Sequence, residues 1–109
     1  MKDNKKLIER VDFILSIADD SLRLWKNNDY GNLIADSAKL KALKVSGLSF
    51  ILDLFGFEHP YYSEFKNELK GGNYYESNVN NTKGILISIK AEIENGWLSS
   101  IKGIVSAEI

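Results

Sequence analysis

Apolar residues return at helical spacing along most of the chain, and that period restricts the possible fold more than any other feature. Leu7, Val11, Ile14, Ala18, Leu22 and Trp25 fall on one face of a helix from about Asn4 to Asn27. Asp3 or Asn4 can cap its start. Phe13, Ile17 and Leu24 form a second stripe, about 100° round the same helix. An arc this wide fits a bundle helix with neighbours on two sides, or a helix whose second stripe meets a partner.

Asn27-Asn28-Asp29-Tyr30-Gly31-Asn32 is turn chemistry. A second helix is expected from about Leu33 to Phe55. Ile34, Ala38, Val45, Leu48, Leu52 and Phe55 make one of its faces, and Leu43, Phe50 and Leu54 another. Gly47 weakens its middle by about 1 kcal/mol relative to alanine. Gly56 is placed to end it. Pro60 opens a short third helix to about Lys70, with Tyr61, Tyr62, Phe65 and Leu69 on its apolar side. The polar, glycine- and asparagine-rich stretch from Gly71 to Asn81 reads as a loop. Asn80 or Asn81 then caps a fourth helix. Leu86, Ile89, Ile93, Trp97, Ile101 and Ile104 hold its period across Asn95-Gly96, so a continuous helix is expected there. No segment alternates as a strand does. The expected fold is all-α, an irregular four-helix bundle of three long helices and one short.

A chain of 109 residues makes a single helical domain. With 44% hydrophobic and 27% charged residues it has an ordinary globular composition. There is no cysteine and only one histidine, which removes thiolate chemistry and Cys- or His-rich metal sites. Fourteen basic and fifteen acidic residues leave a net charge of -1, unlike the footprint of a general nucleic-acid binder. No motif for a cofactor is present. No apolar run approaches the roughly eighteen residues of a membrane span. No signal-like segment follows the polar start. A cytoplasmic setting without membrane contact is the expectation. The apolar period still runs at Ile104-Val105-Ser106-Ala107-Glu108-Ile109, with no cap and with Glu108 at the negative end of the dipole. This reads as the N-terminal part of a longer protein.

Two stretches carry a family resemblance. One is Leu52-Asp53-Leu54-Phe55-Gly56-Phe57-Glu58-His59-Pro60-Tyr61-Tyr62-Ser63-Glu64-Phe65. The other begins Gly84-Ile85-Leu86-Ile87-Ser88-Ile89-Lys90-Ala91-Glu92-Ile93-Glu94-Asn95-Gly96-Trp97-Leu98 and runs through Ser106-Ala107-Glu108-Ile109. They resemble the N-terminal region of a loose group of uncharacterised bacterial and phage-associated proteins. In that group the last helix continues into a second helical domain of the HEPN or abortive-infection type, tied to RNA cleavage or phage defence. The resemblance implies a helical fold and a defence association. It carries over no catalytic residue. A HEPN ribonuclease uses an Arg and a His a few residues apart on one helix. Here the arginines are Arg10 and Arg23 and the only histidine is His59, so such a site would lie beyond Ile109.

Several constellations can bear chemistry. His59, with Glu64 and Glu68 four apart on the next helix, is a conceivable carboxylate-histidine metal site for a hydrolase. Glu92 and Glu94 do not face each other, nor do Asp19 and Asp20, so neither pair is an acid-base dyad by spacing alone. Lys39, Lys41 and Lys44 can touch phosphates, and the pairs Tyr61-Tyr62 and Tyr74-Tyr75 can stack on bases. Against this, residues 56–81 are net acidic. Gly96, Ser100, Gly103 and Ala107 form a row of small residues that admits close helix contact. The leading expectation is a non-enzymatic interaction or scaffold domain. It would meet a protein partner or a second copy through Phe13, Ile17 and Leu24 or through the small-residue row. The alternatives are an RNA-binding helical module and a metal-dependent hydrolase around His59.

Overall fold

The computed structural model describes residues 4–23, 26–27, 33–34, 37–70 and 76–97. Its helices are α1 (Asn4–Arg23), α2 (Ser37–Phe55), α3 (Pro60–Glu68) and α4 (Glu76–Glu94). Between α1 and α2 lie two short strands, β1 (Lys26–Asn27) and β2 (Leu33–Ile34). They pair antiparallel, Lys26 opposite Ile34 and Asn27 opposite Leu33. The fold is all-α and bundle-like, with three long helices and one short. Leu33 and Ile34 belong to the strand pair rather than to the second helix, which starts at Ser37.

The helices form a ring: α1 packs on α2 and α4, and α3 packs on the same two. Pairs between side chains fix the directions. Arg10 meets Asp53 at 3.0 Å and Asp20 meets Lys39 at 3.8 Å, so α1 and α2 are antiparallel. Asp12 meets Lys90 at 2.8 Å and Asp19 meets Lys83 at 2.6 Å, so α1 and α4 are antiparallel too. Tyr61 meets Glu92, and Glu68 meets Asn78 and Asn81, which sets α3 against α4 in the same way. The result is up-down-up-down. These ion pairs are solvent-facing and contribute about 0–1 kcal/mol each. They report the register more than they stabilise it.

Stability comes from the core. Val11, Ile14, Ile17 and Ala18 enter it from α1, and Leu40, Leu43, Phe50, Ile51 and Leu54 from α2. Phe65, with Leu69 just past α3, and Val79, Leu86, Ile89 and Ile93 of α4 close it. Full burial of one such side chain is worth roughly 1.5–3 kcal/mol. The buried hydroxyls of Ser21 and Thr82 donate to the carbonyls of Ala18 and Val79, so neither is left unpaired. On α2 it is the Leu43/Phe50/Leu54 stripe that turns inward. Val45 and Leu52, of the other stripe, point out. Gly47 also faces in, beneath the Phe65 ring, where a Cβ would meet ring atoms at 2.2 to 2.9 Å. Its lack of a side chain is what lets α3 approach α2.

Two glycine caps set helix ends. Gly56, at φ +86°, donates its N–H to the Leu52 carbonyl at 3.0 Å and closes α2 as expected. Gly96, at φ +74°, donates to Ile93 at 3.2 Å, and Trp97 donates to Glu92 at 2.8 Å. That pair of bonds is a Schellman motif. It ends α4, so the expected continuous helix through Gly96 is not formed. α4 also starts earlier than expected. Glu76 to Asn81 are helical, because Val79 and Thr82 are buried and Asn78 and Asn81 bond Glu68.

Candidate functional site

The antiparallel order gathers the start of α1, the end of α2, the start of α3 and the end of α4 at one end of the bundle. His59 stands at the entrance to α3, in an extended conformation. Its Nδ1 accepts the Tyr61 backbone N–H at 3.1 Å, with Pro60 at the first helical position. The imidazole thus acts as a helix cap. Its ring lies 4.5 Å from that of Phe55 and 4.8 Å from that of Tyr61, and Phe55 meets Tyr61 edge-on at 5.2 Å.

The Tyr61 hydroxyl donates to Oε2 of Glu92. Burial, then that hydrogen bond, then the charges of Glu92 and Glu64 push the phenol up to about 12. Tyr61 therefore stays a proton-bearing donor. The other carboxylate oxygen, Oε1 of Glu92, is buried without a hydrogen-bond partner among the described residues.

Beside this pair an open groove of about 420 Å³ runs between α3 and α4. Tyr61, Glu64 and Glu68 form one wall, and Asn81, Gly84 and Ser88 the other. Glu64 and Glu68 share a helix face, as their spacing implies. Oε1 of Glu68 accepts from the side-chain amides of Asn78 at 3.1 Å and Asn81 at 3.2 Å. Anionic groups on the wall repel phosphate, so Tyr61 does not sit in a basic-aromatic channel.

The structure separates most of the residues that the sequence grouped. His59 is occupied as a cap, Glu68 is bonded to two asparagines, and Glu64 lines the groove. Among the described residues no three His, Asp or Glu side chains are grouped to hold a metal ion. The metal-hydrolase arrangement around His59, Glu64 and Glu68 is thus not assembled. Asp19 and Asp20 bind Lys83 and Lys39 across helices and make no dyad. Of the three lysines, Lys39 is tied to Asp20, Lys41 is exposed and Lys44 is half-buried. Tyr74 and Tyr75 lie outside the described residues.

The expected faces change as well. Phe13 is exposed at 63%, but Ile17 belongs to the core, and Leu24 lies outside the described residues. Phe13 and Ile17 therefore do not share an outer stripe, because Ile17 is buried in the core. Gly96 is the capping glycine rather than a helix-face position, and Ser100, Gly103 and Ala107 lie outside the described residues. The exposed apolar residues on α2 are Val45 and Leu52, at 58% and 46%. Their signal was the two-sided apolar pattern of α2, which does not say which side faces out. The Tyr61–Glu92 pair left no local signal, since its members are far apart in sequence.

No helix among the described residues is long and apolar enough to cross a membrane. Comparison with protein-family models, with curated proteins and with solved structures finds no match.

Proposed function

We propose that the chain is a non-enzymatic helical interaction module that binds a protein through the outside of its bundle. The observation that carries this reading is the outward display of Val45 and Leu52 on α2, while a complete core forms without them. Large apolar side chains aligned on a helix surface are characteristic of partner-binding faces. Polar groups that sequence spacing singled out are engaged in structural contacts: His59 in a cap, Glu68 with two asparagines, Glu92 with Tyr61, and Asp19 and Asp20 in ion pairs. The resemblance above supports a role in a bacterial phage-defence protein, and the absence of cysteine from the sequence supports a cytoplasmic setting.

The test is affinity capture with the wild-type chain and with Val45→Glu, followed by reconstitution from purified components and calorimetry. The reading expects a stoichiometric complex, with this chain or another protein, that Val45→Glu weakens at least tenfold. If no protein binds, or if binding ignores Val45, the reading is wrong.

A further inference from the structure

Lys41, Val45, Leu48 and Leu52 follow one another along α2 at steps of four, three and four. That is the spacing of a coiled-coil seam. Lys41, Val45 and Leu52 are exposed, and Leu48 is half-buried. The exposed Phe13 ring stands on the adjoining edge of α1, one turn beyond Arg10, which reaches across to Asp53 and Ser49. Lys41, Val45 and Leu52 lie on the side of α2 away from the core, and Leu48 between them also packs against the core's edge.

Charge selects the occupant. The first half of the seam is basic, with Lys41 in it and Lys44 beside it, and the exposed Glu58 follows its far end. A second copy laid antiparallel sets the basic half of each seam near the acidic end of the other. A parallel copy would set Lys41 against Lys41. The antiparallel pair is also isologous, so it closes at two and does not propagate. Val45 of each copy then lies opposite Leu52 of the other, and the two-fold axis passes between Leu48 and Ser49.

We infer that this chain forms an antiparallel homodimer through the outer seam of α2. The inference rests on the interaction-module reading and names its surface and partner. One helix-helix seam falls short of the roughly 1,600 Å² of a standard interface, so the dimer is expected to be weak.

Sedimentation equilibrium of the whole chain from about 1 μM to 1 mM tests it. The expected result is a monomer–dimer equilibrium. Leu52→Glu and Val45→Glu should each weaken it at least tenfold, with circular dichroism unchanged. Lys41→Glu and Glu58→Lys should each weaken it, and the double reversal should restore it. A wild-type chain that stays monomeric throughout overturns the inference, as does dimerisation indifferent to both apolar variants. Failure of the double reversal to restore association overturns the antiparallel arrangement. A monomer that binds a different protein through Val45 refutes the homodimer and leaves the broader reading standing. A monomer with no partner defeats both.

Discussion

Replacing Gly47 with alanine should destabilise the bundle, although helix propensity alone predicts the opposite. In an exposed helix interior the change is worth about 1 kcal/mol of added stability. Here a Cβ at position 47 would stand 2.2 Å from Cζ, 2.6 Å from Cε1 and 2.9 Å from Cε2 of Phe65. Comfortable carbon contacts lie at about 3.5–4.0 Å, so the ring would have to retreat by more than about 1 Å. Phe65 is fully buried, which leaves the ring no solvent to move into. Overpacking of this kind costs about 1–3 kcal/mol. The net expectation for Gly47→Ala is a loss of up to about 2 kcal/mol, read as a lower urea midpoint at unchanged m-value. Phe65→Leu should lose stability alone but less in the Gly47→Ala background, with a coupling of about 0.5–3 kcal/mol. A Gly47→Ala protein about 1 kcal/mol more stable than wild type would show that Phe65 does not rest on Gly47.

Other substitutions probe the remaining contacts. Tyr61→Phe leaves the half-buried Glu92 carboxylate without its donor and should cost about 1–3 kcal/mol in urea unfolding. The folded-state phenol lies at about 12 against an ordinary value of 10.0, so its contribution is complete below pH 10. That contribution should disappear as pH rises from 10 to about 12, and the gap between wild type and Tyr61→Phe should narrow over this window. His59→Ala removes the cap of α3 and should cost about 0.5–2 kcal/mol by thermal melting, whereas His59→Asn, which also caps, should cost less. Gly96→Ala should cost about 1–2 kcal/mol, because position 96 has positive φ and no neighbour obstructs a methyl there. If Gly96→Ala is neutral, the Schellman ending of α4 is wrong.

The sequence pattern located the helices better than their ends. Val11, Ile14 and Ala18 entered the core as their spacing implies, and Gly56 and Pro60 mark real boundaries. Gly96 was harder to read, because Trp97 stays in phase with Ile89 and Ile93. Two backbone hydrogen bonds outweigh that phase. The asparagines at the start of α4 are poor helix formers, yet tertiary contacts with Glu68 hold Asn78 and Asn81 in the helix. The candidate site was the least legible part. Helical period shows that α2 has two apolar sides, but only its neighbours decide which is covered. The role of His59 depends on one hydrogen bond to Tyr61, which its sequence position beside glutamates does not reveal.

Because the chain has no cysteine, one introduced thiol reports directly on the proposed pairing. The most direct measurement compares disulfide formation by Ser49→Cys and Lys41→Cys under mild oxidation. In the antiparallel dimer the two copies of position 49 flank the two-fold axis, while those of position 41 stand roughly 20 Å apart. Rapid cross-linking of Ser49→Cys, slow cross-linking of Lys41→Cys and loss of both on adding Leu52→Glu is the predicted result. Equal cross-linking at the two positions, or rates indifferent to Leu52→Glu, would contradict pairing through the outer face of α2.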